Sequence, residues 1–369
     1  MNQTPRRTIL KQGFLASTLL LFEPYLRLFK KLDEHSKPTW HQLVEVARWC
    51  PTIHNLQPHQ LKIINDEQAE LYCDVSRTLP VGDPDGTFVM IALGIFIEHL
   101  KIAASAHGYT VLMSELIQPV STKKSGSLLI AKLTLEKITK SETIDPSLIY
   151  LRRTSRLHYD GKLLSEAALE QIRIEAEDYQ HDFYYDSTKT LVDSVIEINQ
   201  RTLFDDLNND ATRNELDRLF RYNDPDAEKY KDGLWYKAMC FPGNLMRSVF
   251  QNHGKWNHGG RGKVLAAYYK HSFAGTSTIC WFNGKLETPQ DLLNAGYMFA
   301  RTWLLITKHN AYLHPFGTLI TNVEANKEIN KILKQSTDPN RKIWMIFRVG
   351  YSQVPARSFR LATDEIIIK

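Results

Sequence analysis

The residues with most chemical potential are Arg152-Arg153-Thr154-Ser155-Arg156, near the middle of the chain. They put three guanidiniums and two hydroxyls into five positions. A guanidinium is a planar fork of N–H donors that matches phosphate oxygens in pairs, and hydroxyls add short donors beside it. Such a stretch suits a phosphate or a polyol chain. The plainer reading is a solvated basic strand end, since charged residues are mostly exposed. A second polar group is Pro51-Thr52-Ile53-His54-Asn55-Leu56-Gln57-Pro58-His59. Asn and Gln each carry donor and acceptor, which suits the edge of a heterocycle bearing carbonyls and ring nitrogens. The same side chains could equally satisfy the backbone of a helix-to-strand turn.

At 369 residues the chain has room for one large domain or two ordinary ones. It is 43% hydrophobic and 24% charged, enough apolar content for a sizeable core. The net charge of +5 is mild and no long Lys/Arg run occurs, so nucleic acid is not an expected partner. Cys50, Cys73, Cys240 and Cys280 are far apart and form no C-x-x-C, and the histidines show no ligand spacing, so no metal site is expected.

The N-terminus has the layout of an export signal. Arg6-Arg7-Thr8-Ile9-Leu10-Lys11 precedes a mostly apolar run from Gly13 to Phe22. The Arg-Arg-x-Ile-Leu-Lys pattern resembles the twin-arginine signal, a receptor-read address. The expectation is export by that machinery to the periplasm or the membrane surface, with 1–33 as signal or anchor. An amphipathic helix is the alternative.

The elements that must carry these groups can be read from period and punctuation. Helices are expected over 40–49 with Thr39 as N-cap, over 88–107, 165–178, 189–204 and 208–220, and over 288–308. The 88–107 helix is apolar nearly all round and should be central and buried. Strands are expected over 61–64, 70–75, 109–113, 127–135, 182–185, 278–283 and 342–350. Residues 311–318 read as a loop. Residues 222–262 read as irregular and aromatic, which points to a lid or binding loop, or to a mobile insertion. Polar breaks near 33–39 and 137–147 set expected units of 34–140 and 141–369. No G-x-G-x-x-G follows a strand, so no Rossmann NAD site is expected.

In these motifs the chain resembles the FMN-dependent nitroreductase family. Arg152-Arg153-Thr154-Ser155-Arg156 resembles its Arg-Arg-Ser-x-Arg opening. The 51–59 loop resembles its Pro-Ser-x-x-Asn-x-Gln-Pro-Trp loop, with Thr52 and His59 in place of Ser and Trp. Phe347-Arg348-Val349-Gly350-Tyr351, with Pro355 and Arg360 beyond, resembles its closing strand and basic tail. The order differs, because here the loop precedes the Arg stretch. That order resembles the fused, Acg-type members, in which each half retains what the other has lost. The resemblance implies an α+β, nitroreductase-like fold duplicated within one chain, a pseudo-dimer of two α+β halves that acts as a monomer, with 222–262 as a lid. It implies one FMN. Arg152, Arg153, Thr154 and Arg156 would hold its phosphate and ribityl chain, with Arg357 and Arg360 adding charge. Pro51, Thr52, Asn55 and Gln57 would line the ring, and His314, Phe316 and Gly317 would approach its N5 and carbonyl edge; Trp49, His54 and His59 are weaker candidates. Chemistry would reside on the flavin rather than on a protein acid–base group, with NAD(P)H or another donor and a small-molecule acceptor such as a nitroaromatic or quinone. The rival expectation is a protein that sequesters FMN beneath a lid, without turnover.

Overall fold

A computed structural model describes residues 36–138 and 142–369. The twin-arginine pattern and its apolar run lie outside the described residues.

Helix α1 (Trp40–Ala47) opens on a capping box in which Thr39 and Gln42 satisfy each other's free backbone N–H groups. Left-handed residues interrupt the chain before β1 (His59–Ile63), which pairs antiparallel with β2 (Gln68–Asp74). Helix α2 (Thr87–Ser105) follows, with fifteen of its nineteen residues buried. It is long and apolar enough to cross a membrane, but 83% of its apolar stretch is buried inside the fold, as suits a central core helix. Strands β3 (Tyr109–Leu116) and β4 (Ser127–Lys137) complete an antiparallel sheet in the order β1-β2-β4-β3.

After the short α3 (Ser147–Leu151) and the Arg stretch, α4 (Glu166–Asp178) starts at its N-cap Ser165 and leads to β5 (Asp182–Asp186). An insertion then runs through α5 (Lys189–Asn208), α6 (Asp210–Leu219), β6 (Phe220–Arg221), α7 (Asp224–Tyr230), β7 (Leu234–Trp235), α8 (Tyr236–Met239), α9 (Gly243–Gln251) and α10 (Gly259–His271). The core resumes with β8 (Thr278–Gly284), buried along its whole length, and α11 (Pro289–Lys308), capped by Thr288 and Asp291. Strand β9 (Tyr312–Pro315), helices α12 (Thr318–Thr321) and α13 (Val323–Ile332), and β10 (Lys342–Gly350) close a second antiparallel sheet, β5-β8-β10-β9. The fold class is α+β.

The same succession therefore occurs twice: helix, two strands, long central helix, two strands, with the same sheet order. The central helices α2 and α11 pack on each other at two glycines. A Cβ on Gly94 would lie 2.4 Å from the Leu293 carbonyl oxygen, and one on Gly296 would lie 2.2 Å from that of Ile91. Only the absence of side chains lets the helix backbones come so close. The chain ends by crossing over: after β10, residues 351–362 run to α14 (Thr363–Ile366) and β11 (Ile367–Ile368), which joins the first sheet parallel to β1 with Leu61 opposite Ile367.

Two expectations are corrected here. The 222–262 stretch is largely helical. Its helices are short, α7 carrying Pro225 in its first turn and α9 starting just after Pro242, and glycines separate them, so their periods do not stand out. Its aromatic residues have a structural use, because Tyr222 and Phe250 pack with the neighbouring Phe220 and with Leu207, Leu234, Met246, Val249 and Leu265 in a small core of their own. The 311–318 loop contains β9, paired with β10 and so too short to stand out in the sequence.

Candidate functional site: a cavity with arginine donors

A cavity of about 390 Å³ opens between the two central helices, the 51–55 loop, the Arg stretch, the 356–360 tail and the insertion. Pro51, Thr52, Asn55, Arg152, Arg153, Thr154, Arg156, Gly317, Arg357 and Arg360 all line it, as do Trp49 and His54.

The Arg stretch is held as a strap along the second sheet. Thr154 bridges Leu313 and the Ser155 N–H donates to the Leu313 carbonyl at 3.2 Å, while the Ser155 and Ser352 hydroxyls lie 2.8 Å apart. Arg152 is 6% exposed. One of its Nη atoms donates to the Trp49 carbonyl at 3.3 Å, and its guanidinium lies 4.6 Å from the Trp303 ring centre. Its Nε and other Nη meet no partner among the described residues. Arg360, carried across by the crossing tail, donates to its neighbour's carbonyl at 3.0 Å and leaves Nε without a partner. The Arg357 guanidinium stands 3.7 Å over the Trp49 ring, whose own Nε1 is buried and unpartnered.

Among the described residues, neither Arg152, Arg156 nor Arg360 has a carboxylate within ion-pair distance. Burial, and then the charge of Arg360, lowers the Arg152 pKa well below the usual arginine value. Burial likewise lowers Arg360 to about 10. A buried charge is costly unless it is paired. Unpaired N–H donors converging on a cavity are therefore suited to an anion that the protein does not itself supply.

The loop opposite is strained. His54, Asn55 and Gln57 have φ of 46°, 59° and 54°, a left-handed conformation that costs non-glycine residues about 1–2 kcal/mol each. It is held by tertiary bonds. The Asn55 amide donates to the Phe359 carbonyl at 3.1 Å, and Gly233 N–H donates to the Asn55 carbonyl at 3.3 Å. Backbone strain that the surroundings must over-determine gathers at functional sites. Asn55 Oδ1 is buried without a partner. Burial and then the Arg156 charge press the His54 pKa down to about 4, so its imidazole is neutral at physiological pH.

Three expected residues do not line the cavity. Gln57 is fully buried and its amide is used up: Nε2 donates to the Lys231 carbonyl at 2.9 Å and the Asn55 carbonyl at 3.2 Å, and Oε1 accepts the Leu361 N–H at 2.8 Å. It fastens the loop to the insertion and to the tail. His314 alternates away from the cavity, because it is followed by the lining residue Pro315 in β9; its ring stacks on Phe273 with centres 5.9 Å apart. Phe316 packs into the core between the second sheet and α5, α12 and α13. Nor does His59 reach the cavity, being stacked on Phe96 at 4.2 Å.

Most other lining residues carried no site signal in the sequence, Trp235 and Phe250 of the aromatic 222–262 stretch being exceptions. Phe88, Ile91 and Ile95 come from α2, and Phe299 and Trp303 from α11. Leu203, Asp206, Glu215, Phe220, Trp235 and Phe250 come from the insertion, so the covering segment is wider than 222–262. Glu215 fastens this cover to the first half by accepting the N–H groups of Val81 at 2.9 Å and Gly82 at 2.8 Å. Asp232 does so by pairing with Arg77 at 3.0 Å while also holding Arg221.

Comparison with known proteins gives partial matches. No family model matches the chain. A stretch of 116 residues is 27% identical to "Putative NAD(P)H nitroreductase acg" of two Mycobacterium tuberculosis strains, covering 31% of this chain and 34% of the relative. The match thus spans about a third of the length of those curated relatives. Among solved structures, the chain is similar to the FMN and NADPH-dependent nitroreductase NfnB from Sphigopyxis sp. strain HMH, with a TM-score of 0.34, 12% identity and coverage of 60% of this chain and 97% of that one. It is also similar to a nitroreductase with bound FMN from Desulfitobacterium hafniense DCB-2, with a TM-score of 0.35, 9% identity and coverage of 60% and 96%. These similarities fall on nitroreductases, the family that the 51–59 loop and the Arg stretch resemble.

Proposed function

We propose that this chain is an FMN-binding oxidoreductase of the nitroreductase type, in which two halves of a duplicated fold build one site and the chain acts as a monomer. The observation that carries this reading is the set of donors around Trp49: buried Arg152 and half-buried Arg360, with N–H groups unpartnered among the described residues and no carboxylate to pair with. Arg152 and Arg360, with Arg357 and Arg153, would hold the phosphate. Thr154 and Arg156 would meet the sugar-alcohol chain and ring, and Thr52 and Asn55 the ring edge. Bound FMN supplies two-electron hydride chemistry, and these residues bind it, orient it and keep water from it. Small electrophiles such as nitroaromatics or quinones are the proposed acceptors, with NAD(P)H the proposed donor. The N-terminal pattern supports export through the twin-arginine machinery.

A second reading is favoured by a particular observation. The insertion closes over the cavity, and 390 Å³ is near the lower end of the range of roughly 300–1,000 Å³ for cavities that hold one drug-sized ligand. A protein that sequesters FMN beneath this cover is therefore the alternative. The visible spectrum of the purified protein, followed by anaerobic NADPH, separates the two. Flavin bands that bleach with NADPH and return with a quinone support the reductase. Bands that bleach only with dithionite support sequestration. A colourless protein that takes up no added FMN rules out both.

A further inference from the structure

Arg348, in the middle of β10, is completely buried at 0% exposure. No carboxylate is within ion-pair distance of it among the described residues. Its guanidinium lies between two aromatic rings, 4.2 Å from the centre of Tyr159 and 4.9 Å from that of Phe273. It donates to four oxygens: the Leu157 carbonyl at 3.0 Å, the Ser155 carbonyl at 3.3 Å, the Thr276 hydroxyl at 3.0 Å and the Ser272 carbonyl at 3.4 Å. An apolar residue of similar volume could fill this space but would leave the four oxygens without this donor.

The acceptors show what the charge is for. Ser155 and Leu157 flank Arg156, so Arg348 grips the backbone on both sides of the residue that points into the cavity. Among the described residues, the Arg156 guanidinium has a single hydrogen bond to direct it, 3.4 Å long, to the Ala238 carbonyl. The titratable groups that bear on this pair are His54 and His314, which burial and the neighbouring arginines hold neutral, and Tyr159, Tyr269 and Cys240, which burial keeps protonated; the cavity's carboxylates are engaged elsewhere, Asp206 with Thr318 and Asn322 and Glu215 with the Val81 and Gly82 N–H groups. None offsets the two positive charges.

We infer that Arg348 is a positioning residue for the ligand: it sets Arg156 and holds a second uncompensated positive charge behind it. This end of the cavity then favours a ligand group that gains negative charge on reduction. An electron pair that arrives with one proton leaves the ligand one unit more negative, and Arg156 with Arg348 stabilises that form. The inference rests on the flavin reading above and adds a residue that does not line the cavity.

The test compares the full-length chain with Arg348→Met, Arg348→Lys and Arg156→Ala, alone and combined. The readouts are FMN affinity by fluorescence titration, the reduction potential of bound FMN by dye equilibration, and the thermal midpoint. Arg348→Met should weaken FMN binding by roughly ten- to a hundredfold, the worth of a hydrogen bond to a charged group, and shift the potential to more negative values. Arg348→Lys keeps the charge but cannot span four acceptors, so it should recover the potential while affinity stays reduced. In the Arg156→Ala background, Arg348→Lys should add little further loss of affinity, because coupled residues are not additive. A lower melting temperature with unchanged potential and affinity would make Arg348 merely structural and overturn the inference. Should Arg348→Met not fold, Arg348→Lys decides alone: affinity equal to wild type overturns the inference. A wild-type chain that binds no FMN fails at the earlier step and removes the flavin reading itself.

Discussion

The described structure buries arginines in two contrasting ways. Arg301, in α11, joins Glu98 of α2 at 3.0 Å, Glu142 at 2.9 Å and Glu175 of α4. Three carboxylates surround one guanidinium, and Lys101 approaches Glu98 at 3.3 Å. Arg152 and Arg348 are buried more deeply, yet carbonyls and aromatic faces are their partners. The pKa values move accordingly. Burial opposes charge at both places; Glu142, Glu98 and Glu175 reverse it at Arg301, whose pKa rises, whereas at Arg152 neighbouring arginines deepen the fall. A charge that the fold neutralises serves architecture, here the docking of α2, α4 and α11. A charge that the fold leaves open, beside a cavity, is suited to a ligand that brings the counter-charge.

The largest expected effect would test the architectural side. Arg301→Met strands three buried or half-buried carboxylates and should cost about 3–5 kcal/mol in urea unfolding, the usual result of breaking a buried pair. Its pH dependence carries a sign. Burial alone would raise Glu142, but the Arg301 hydrogen bond and charge overcome it, so its pKa is lowered on folding. Its contribution is present above the unfolded pKa and disappears as pH falls through the lower folded value. Glu175 shifts upward through burial, against Arg301, so its contribution is present at low pH and is lost as pH rises through its folded value. Without Arg301 both carboxylates should prefer protonation, so the variant should gain stability on acidification through roughly pH 5, the upper edge of carboxylate titration. A variant whose stability still falls with acid over that range would contradict this account of the hub.

Next in size is the ligand side. Arg152→Ala combined with Arg360→Ala should weaken FMN binding by at least about a hundredfold, since charged hydrogen bonds are worth roughly 1.5–3 kcal/mol each. The FMN-free protein should melt no lower than wild type, because the change removes uncompensated charge. A large drop in the FMN-free melting temperature would place these arginines with Arg301 and erase the contrast.

A smaller effect separates the two amides of the 51–58 loop. Gln57→Leu orphans the Leu361 N–H and should cost about 1–3 kcal/mol of stability, measured by denaturant unfolding. Asn55→Leu, at a position whose Oδ1 is unpartnered, should affect FMN affinity more than Gln57→Leu does. The reverse ranking would show that the loop's ligand contacts are misassigned. The smallest effect concerns strain. His54→Gly relieves a left-handed residue and should stabilise the protein by about 1 kcal/mol. If instead it destabilises, the imidazole holds the loop rather than facing the cavity.

Local chemistry made much of this legible. Thr39 and Thr288 mark their helix starts because a side-chain oxygen followed by Gln or Asp at the third position caps a helix in any context. Helix α2 reads as central because no face of it is polar. The Arg stretch and the Pro-Thr-x-x-Asn loop stand out by residue type, and they do line one cavity. The insertion was legible only in part: its leading helices α5 and α6 show in the sequence over 189–204 and 208–220, whereas the short helices after them are stabilised by a small shared core rather than by their own periodicity.

Residue type and spacing thus determined which donors this protein owns and which long elements carry them. They could not determine direction or company. Gln57 reads as a ring-edge amide, but left-handed backbone turns it into contact with Lys231 and Leu361, which lie far along the chain. His314 and Gly317 read as one motif, but the alternation of a four-residue strand sends the histidine to the opposite face. Arg152, Arg301 and Arg348 are the same residue by composition. Whether each is neutralised, left open to a cavity or set behind another arginine depends on which distant carboxylates the packing brings near, and electrostatic energy in a water-poor interior depends steeply on those distances.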